Sequence, residues 1–157
     1  MQKNGLNNVA LIAEIISALA VVISLLYVGI EVNRNTSESK LANQHSILSS
    51  DIETKSWLKD PLFAGIHLKG ATDYDGLEPV QKTQLDTFIA LEIGNWEFLH
   101  ISHSDDLIDN EFFVAFDIYY RSRMVRDDYQ SFWLNARLAF SESFRAYVDS
   151  VLDEISN

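Results

Sequence analysis

The 157-residue chain contains no cysteine. A disulfide framework, a thiolate metal site and a cysteine nucleophile are therefore excluded. Cations are scarce: 12 Lys and Arg stand against 23 Asp and Glu, for a formal net charge of -11. Nucleic acid needs basic groups opposite its phosphates and is not an expected partner, and an anionic membrane surface is equally unattractive to the chain as a whole. With only two prolines and six glycines, few residues break a helix. Glycine-rich phosphate loops are also missing, and no serine stands between glycines in a nucleophile-elbow context. No catalytic set emerges, so the chain does not read as an enzyme, and no cofactor or metal is implied.

What the chain has in quantity is apolar surface. Hydrophobic residues make up 47%, too many for a disordered chain. The length gives room for one ordinary domain plus an appendage. From residue 6 to residue 30 the only side chain of a charged type is Glu14. As a helix this run is roughly 37 Å long, against a hydrocarbon core of roughly 30 Å. A cleaved signal peptide has a shorter apolar stretch, and no small-x-small cleavage site follows Tyr27. A buried helix of a globular core seldom goes so many turns without polar residues. The run predicts an all-α chain with a single transmembrane helix over 6–31, a helical extension over 32–60 and a soluble helical domain over 61–157. Lys3 precedes the span and Arg34 and Lys40 follow it, which by the positive-inside rule favours a cytoplasmic C-terminal domain by a narrow margin.

Glu14 needs a reason. Steps of four and three residues connect Ala10, Glu14, Ser17, Val21, Ser24, Val28 and Glu31, a seam of small, hydroxyl and carboxyl groups. Displaced by two residues runs a second line, Ile12, Ile16, Leu19, Ile23, Leu26 and Ile30, all large and aliphatic and suited to acyl chains. A lone helix in lipid gains nothing by gathering its polar groups on one line, whereas an oligomer does. Small residues permit close approach, and Ser and Glu side chains bond across the interface. With three or more copies around an axis, Glu14 and Glu31 become carboxylate rings with Ser17 and Ser24 between them, the outline of a cation-selective lining. Oligomeric packing without conduction and a monomeric anchor are the rival readings.

Beyond the span, no Gly or Pro interrupts residues 32–59, so the helix is expected to continue into water, with Leu41, Leu48 and Ile52 as a thin apolar stripe and His45 solvated. Asp60 and Pro61 open a second helix that is expected to stop at Gly70, with Leu62, Phe63, Ile66 and Leu68 as its apolar members. Residues 71–77 read as a loop whose carboxylates lack the later ligands of a calcium site. Pro79 opens a long helix whose inward face holds Leu85, Phe88, Ile89, Leu91, Ile93, Trp96, Leu99 and Ile101. Glu97, His100 and His103 lie three apart on it, but a carboxylate-bridged di-iron bundle needs that motif twice.

Residues 109–124 form another expected helix, with Phe112, Phe113, Phe116, Ile118, Tyr119 and Tyr120 as core. Arg121, Arg123 and Arg126 then make the single basic patch of an acidic chain, a candidate anion site or a set of internal ion pairs. A segment over 130–138 follows. Ser141 caps a last amphipathic helix with Phe144, Tyr147, Val148, Val151, Leu152 and Ile155 inward.

The stretches LLYVGIEVNRNT, KDPLFAGIHLKG and FWLNARLAFSESFRAYVDSVL together resemble a family of small uncharacterised bacterial membrane proteins. The resemblance implies one N-terminal transmembrane helix, a short helical soluble region and a bacterial inner-membrane location. It carries no activity and no site residues. The expected function is a homo-oligomeric single-pass membrane protein, either cation-conducting or proton-responsive, with Glu14, Ser17, Val21, Ser24, Val28 and Glu31 along its axis. The alternative is a membrane-tethered regulatory module whose helical domain binds a protein or a small anionic ligand. The partners implied are membrane lipid and further copies of the same chain.

Overall fold

The computed structural model describes residues 3–156, and the side chains of Glu14, Ser17 and residues 19–156. Helix α1 runs without a break over Lys3–Lys55. In the polar stretch after Glu31 hydroxyls turn back on the helix: Thr36 donates to the Val32 carbonyl (3.0 Å) and Ser37 to that of Asn33 (3.1 Å). Arg34 and Glu38 pair one turn apart at 3.1 Å. Five further helices follow: α2 (Pro61–Asp73), α3 (Pro79–Ser104), α4 (Asn110–Arg123), α5 (Asp127–Ala136) and α6 (Glu142–Ser156). Short 3-10 turns over Ser56–Lys59 and Arg137–Ala139 join α1 to α2 and α5 to α6. Among the described residues there is no strand, in agreement with the expected all-α class.

The chain divides into two compact units, Met1–Ser39 and Lys40–Asn157. The second begins well before residue 61 because the last four turns of α1 belong to it. Ile47 is 1% exposed, and Asp51 and Thr54 are buried beside it. Among the described residues no helix is long and apolar enough to cross a membrane. Part of the expected span falls outside the described side chains, namely those of residues 6–13, 15, 16 and 18.

Both proline starts are found. Asp60 caps α2, accepting from the Leu62 amide at 2.9 Å, and Pro61 occupies the first turn, where its missing N–H costs nothing. At α3 the Glu78 amide donates to the Gln81 side chain at 3.1 Å ahead of Pro79. Helix α2 does not stop at Gly70 but continues to Asp73. The glycine serves packing: a Cβ there would collide with Leu85. The turn after α2 is closed by Asp73, which accepts from the Gly76 amide (3.1 Å), and by Lys69, which donates to the Gly76 carbonyl (2.5 Å).

The core of the second unit is aromatic. Trp96, Trp133, Tyr120, Tyr129, Phe88 and Phe144 are almost wholly buried. Trp96 meets Phe144 edge-on at 5.4 Å and stacks on Tyr120 at 6.0 Å, geometries that suit the ring quadrupoles. Several apolar residues expected inward, Leu91, Ile101, Ile118 and Ile155, are instead exposed, and so are Leu62 and Leu68 on α2 and Leu41, Leu48 and Ile52 on α1. The inward faces are set in part by polar residues. Glu92 replaces Leu91 on α3, Asp117 replaces Ile118 on α4, His67 and Gly70 replace Leu68 on α2, and Asp51 replaces Ile52 on α1. Helix α5 starts three residues earlier than the expected segment at 130, because Asp127 and Asp128 supply the negative first turn that a helix N-terminus favours.

Candidate functional site

Two places carry chemistry, one in each unit. In the first, Glu14, Ser17, Val21, Ser24, Val28 and Glu31 are all exposed. So are ten large apolar side chains between residues 19 and 32, from Leu19 to Val32, at 52 to 68%. Every described side chain from residue 19 to residue 39 is exposed. Contiguous exposed apolar surface of this kind is a feature of interaction sites.

The second place is the interior of the helical unit, where four helices each bury a carboxylate with its own donors. Asp51 of α1 accepts from the Tyr120 hydroxyl (3.1 Å) and from Lys55 (2.7 Å). Glu92 of α3 accepts from Tyr119 (2.9 Å) through one oxygen and from Tyr129 through the other. Asp117 of α4 accepts from the Trp96 indole (2.8 Å) and the Tyr147 hydroxyl (2.7 Å). Asp128 of α5 accepts from Arg126 through both oxygens (3.0 and 2.6 Å) and from the Tyr129 amide (3.0 Å). Each carboxylate thereby regains the hydrogen bonds lost on leaving water.

These contacts fix protonation. Burial, with the Glu92 carboxylate second, pushes the Tyr129 hydroxyl far above its ordinary range, and burial with Asp51 does the same to Tyr120. Tyr119 is raised to about 12 by burial and Glu92, so the tyrosines are donors at all physiological pH. Burial lowers His67 to about 4, helped by the positive charge of Arg126. The neutral ring is oriented by that guanidinium, whose Nη1 lies 3.2 Å from His67 Nε2 while Nη2 donates to the His67 carbonyl at 3.0 Å. The cations Lys55 and Arg123 both lie over the Tyr119 ring, at 3.8 and 4.7 Å from its centroid.

The three arginines of the basic patch have separate internal partners. Arg121 pairs with Glu154 at 2.5 Å, Arg123 donates to the Tyr119 hydroxyl at 2.7 Å, and Arg126 holds Asp128. Only Arg123 leaves a buried Nε without a partner among these three. The Glu97, His100 and His103 line is likewise dispersed. Glu97 accepts from the Ser141 amide (2.6 Å), His100 stacks on Tyr147 at 4.7 Å, and His103 stacks on Phe113 at 4.0 Å. Among the described residues no group of His, Asp or Glu is gathered as a metal site would require.

Sequence reasoning missed the buried carboxylates, although a signal exists. Glu92 is in helical phase with Leu85, Phe88, Ile89, Trp96 and Leu99, and Asp51 with Ile47 and Thr54. An acid in phase with an apolar face marks a buried acceptor for which tyrosine or arginine donors must be sought. In comparisons with known proteins, no family model, no curated protein and no solved structure matches this chain.

Proposed function

We propose that this is a single-pass membrane protein whose copies associate through the first half of α1 and place Glu14 and Glu31 around a common axis that passes or senses cations. The observation that carries the reading is an unbroken helix whose described apolar side chains over residues 19–32 are all exposed, while its carboxyl and hydroxyl residues Glu14, Ser17, Ser24 and Glu31 keep to one seam. A carboxylate on an isolated helix in hydrocarbon is costly, and neighbours carrying hydroxyls and further carboxyls relieve that cost. The expected location is the bacterial inner membrane, with unit Lys40–Asn157 on the cytoplasmic side.

Two measurements test it. The mass of the detergent-solubilised full chain should correspond to three or more copies, and a monomer refutes the proposal. Reconstituted into liposomes, the protein should pass monovalent cations, with flux lost in Glu14→Gln or Glu31→Gln. An intact oligomer silent at every pH removes conduction and leaves association.

A second reading, a membrane-tethered module that binds a protein or small anion, is favoured by the unsatisfied Arg123 Nε. Calorimetric titration with inorganic phosphate tests its small-anion form: millimolar or tighter binding, lost in Arg123→Gln, supports it, and no heat refutes it.

A further inference from the structure

Of the three tryptophans, Trp96 and Trp133 are each 1% exposed and donate their indole N–H to Asp117 and Asp149. Trp57, in the turn between α1 and α2, is 38% exposed. It is one wall of a cavity of about 300 Å³ lined by Trp57, Asp60, Phe63 and Gln84. The Trp57 and Phe63 rings stand at 78° with centroids 5.6 Å apart, and so make a corner. Both rest on the fully buried Phe88, at 6.3 Å from Trp57 and 5.2 Å from Phe63, which fixes the corner before any ligand arrives.

The charge of the lining has one sign. Asp60 uses one carboxylate oxygen to cap α2, accepting from the Leu62 amide at 2.9 Å, and its second oxygen is left for a ligand. Gln84 adds an amide carbonyl, a further acceptor. No Lys or Arg lines the cavity, and the chain as a whole carries a formal charge of -11, so an anion is repelled. A neutral apolar ligand gains only contact with the rings. A cation gains the negative ring faces and the carboxylate together. Among cations, an ammonium that bears methyl groups suits an aromatic corner best, because its charge is spread over an apolar surface that sheds water at small cost.

We propose that this cavity binds a small organic cation with a methylated ammonium head, seated in the corner of Trp57 and Phe63 with its charge toward Asp60. All four lining residues lie in unit Lys40–Asn157, so the site stands apart from the membrane association proposed above. The same head occurs on free solutes and on lipids, and the test separates the two sources.

Trp57 is itself the reporter, since the other two indoles are buried. The full chain, in a detergent without ammonium groups, is titrated with choline chloride at constant ionic strength. Tryptophan emission should change saturably, with half-saturation on the order of millimolar. Asp60→Asn keeps the helix cap, because Asn caps as well as Asp, but removes the charge, and should weaken binding about fivefold. Trp57→Leu should abolish saturation transfer from the protein to the choline methyl protons in NMR. The neutral carbon analogue of choline, with a tert-butyl group in place of trimethylammonium, should bind about tenfold more weakly than choline. No saturable response to choline overturns the site. Equal affinity for choline and its neutral analogue, or an unaltered Asp60→Asn, overturns the assignment of a cation. In nanodiscs, equal choline responses in phosphatidylglycerol and phosphatidylcholine support a free solute as the ligand. A response present in phosphatidylglycerol and already saturated in phosphatidylcholine supports the lipid head.

Discussion

Replacing glycine by alanine should have opposite effects at two positions of this chain. At Gly94, inside α3, an added Cβ meets nothing within 4 Å, and the same holds at Gly65 in α2. Alanine there removes the glycine entropy penalty of a helix interior and should stabilise by about 0.5–1 kcal/mol. At Gly70 the added Cβ lands on Leu85 Cδ2 and lies 3.5 Å from Leu77 Cδ1 and 3.4 Å from Asp128 Oδ2. Leu85 is fully buried and cannot swing into solvent. Overpacking of this kind costs about 1–3 kcal/mol, which outweighs the helix-propensity gain and leaves Gly70→Ala destabilised by about 1–2 kcal/mol. The two variants should therefore differ by about 2–3 kcal/mol, or about 4–12 °C in melting temperature for a chain of this size. Thermal unfolding followed by circular dichroism in one detergent measures it. Because the clash is with one methyl group, Leu85→Val should cost less in the Gly70→Ala background than in the wild type. Equal stabilisation by Gly70→Ala and Gly94→Ala, or strict additivity with Leu85→Val, would refute the packing argument.

Glu92→Leu should destabilise by about 2–4 kcal/mol in urea unfolding, since it strands the hydroxyls of Tyr119 and Tyr129, and Glu92→Gln by roughly half, since the amide keeps one acceptor. Glu92→Leu as stable as the wild type would mean that the buried carboxylate is a net burden. His67 is 6% exposed and held neutral to about 4 against an ordinary value of 6.5. The unfolded chain takes up the proton first as pH falls, so stability is full above about 6.5 and declines toward 4, by about 2 kcal/mol between pH 7.5 and pH 5. His67→Gln, which leaves Arg126 an acceptor, should flatten urea midpoints over that window, and an unchanged slope would refute the assignment.

Much of the helix order was legible because proline and its neighbours punctuate it. Asp60–Pro61 and the Glu78–Pro79 step each supply a fixed φ and an acceptor where a helix needs them, so those starts follow from local chemistry. Continuity of α1 was legible for the converse reason: no breaker lies between residues 32 and 59. The end of α2 was not, because Gly70 reads as a stop when only local conformation is weighed, and its purpose, the approach of Leu85, is tertiary. Burial was misread wherever hydrophobicity alone chose the face. Leu91 and Ile118 are more apolar than their neighbours Glu92 and Asp117, yet the acids are inside because Tyr119, Tyr129, Trp96 and Tyr147 supply donors from other helices. Such partners lie 21 to 37 residues away along the chain and no local pattern announces them.

The four interior acids also act as an alignment code. Each has its own set of mates, drawn largely from other helices: Asp51 takes Tyr120, Glu92 takes Tyr119 and Tyr129, and Asp117 takes Trp96 and Tyr147. Greasy contacts tolerate a helix sliding by one turn, about 5.4 Å, but these pairs do not, because every mismatch strands an acid and a hydroxyl or indole together. Rival compact arrangements are thereby raised in energy more than the native one is lowered, and a small unit without a single cystine settles on one arrangement of its helices.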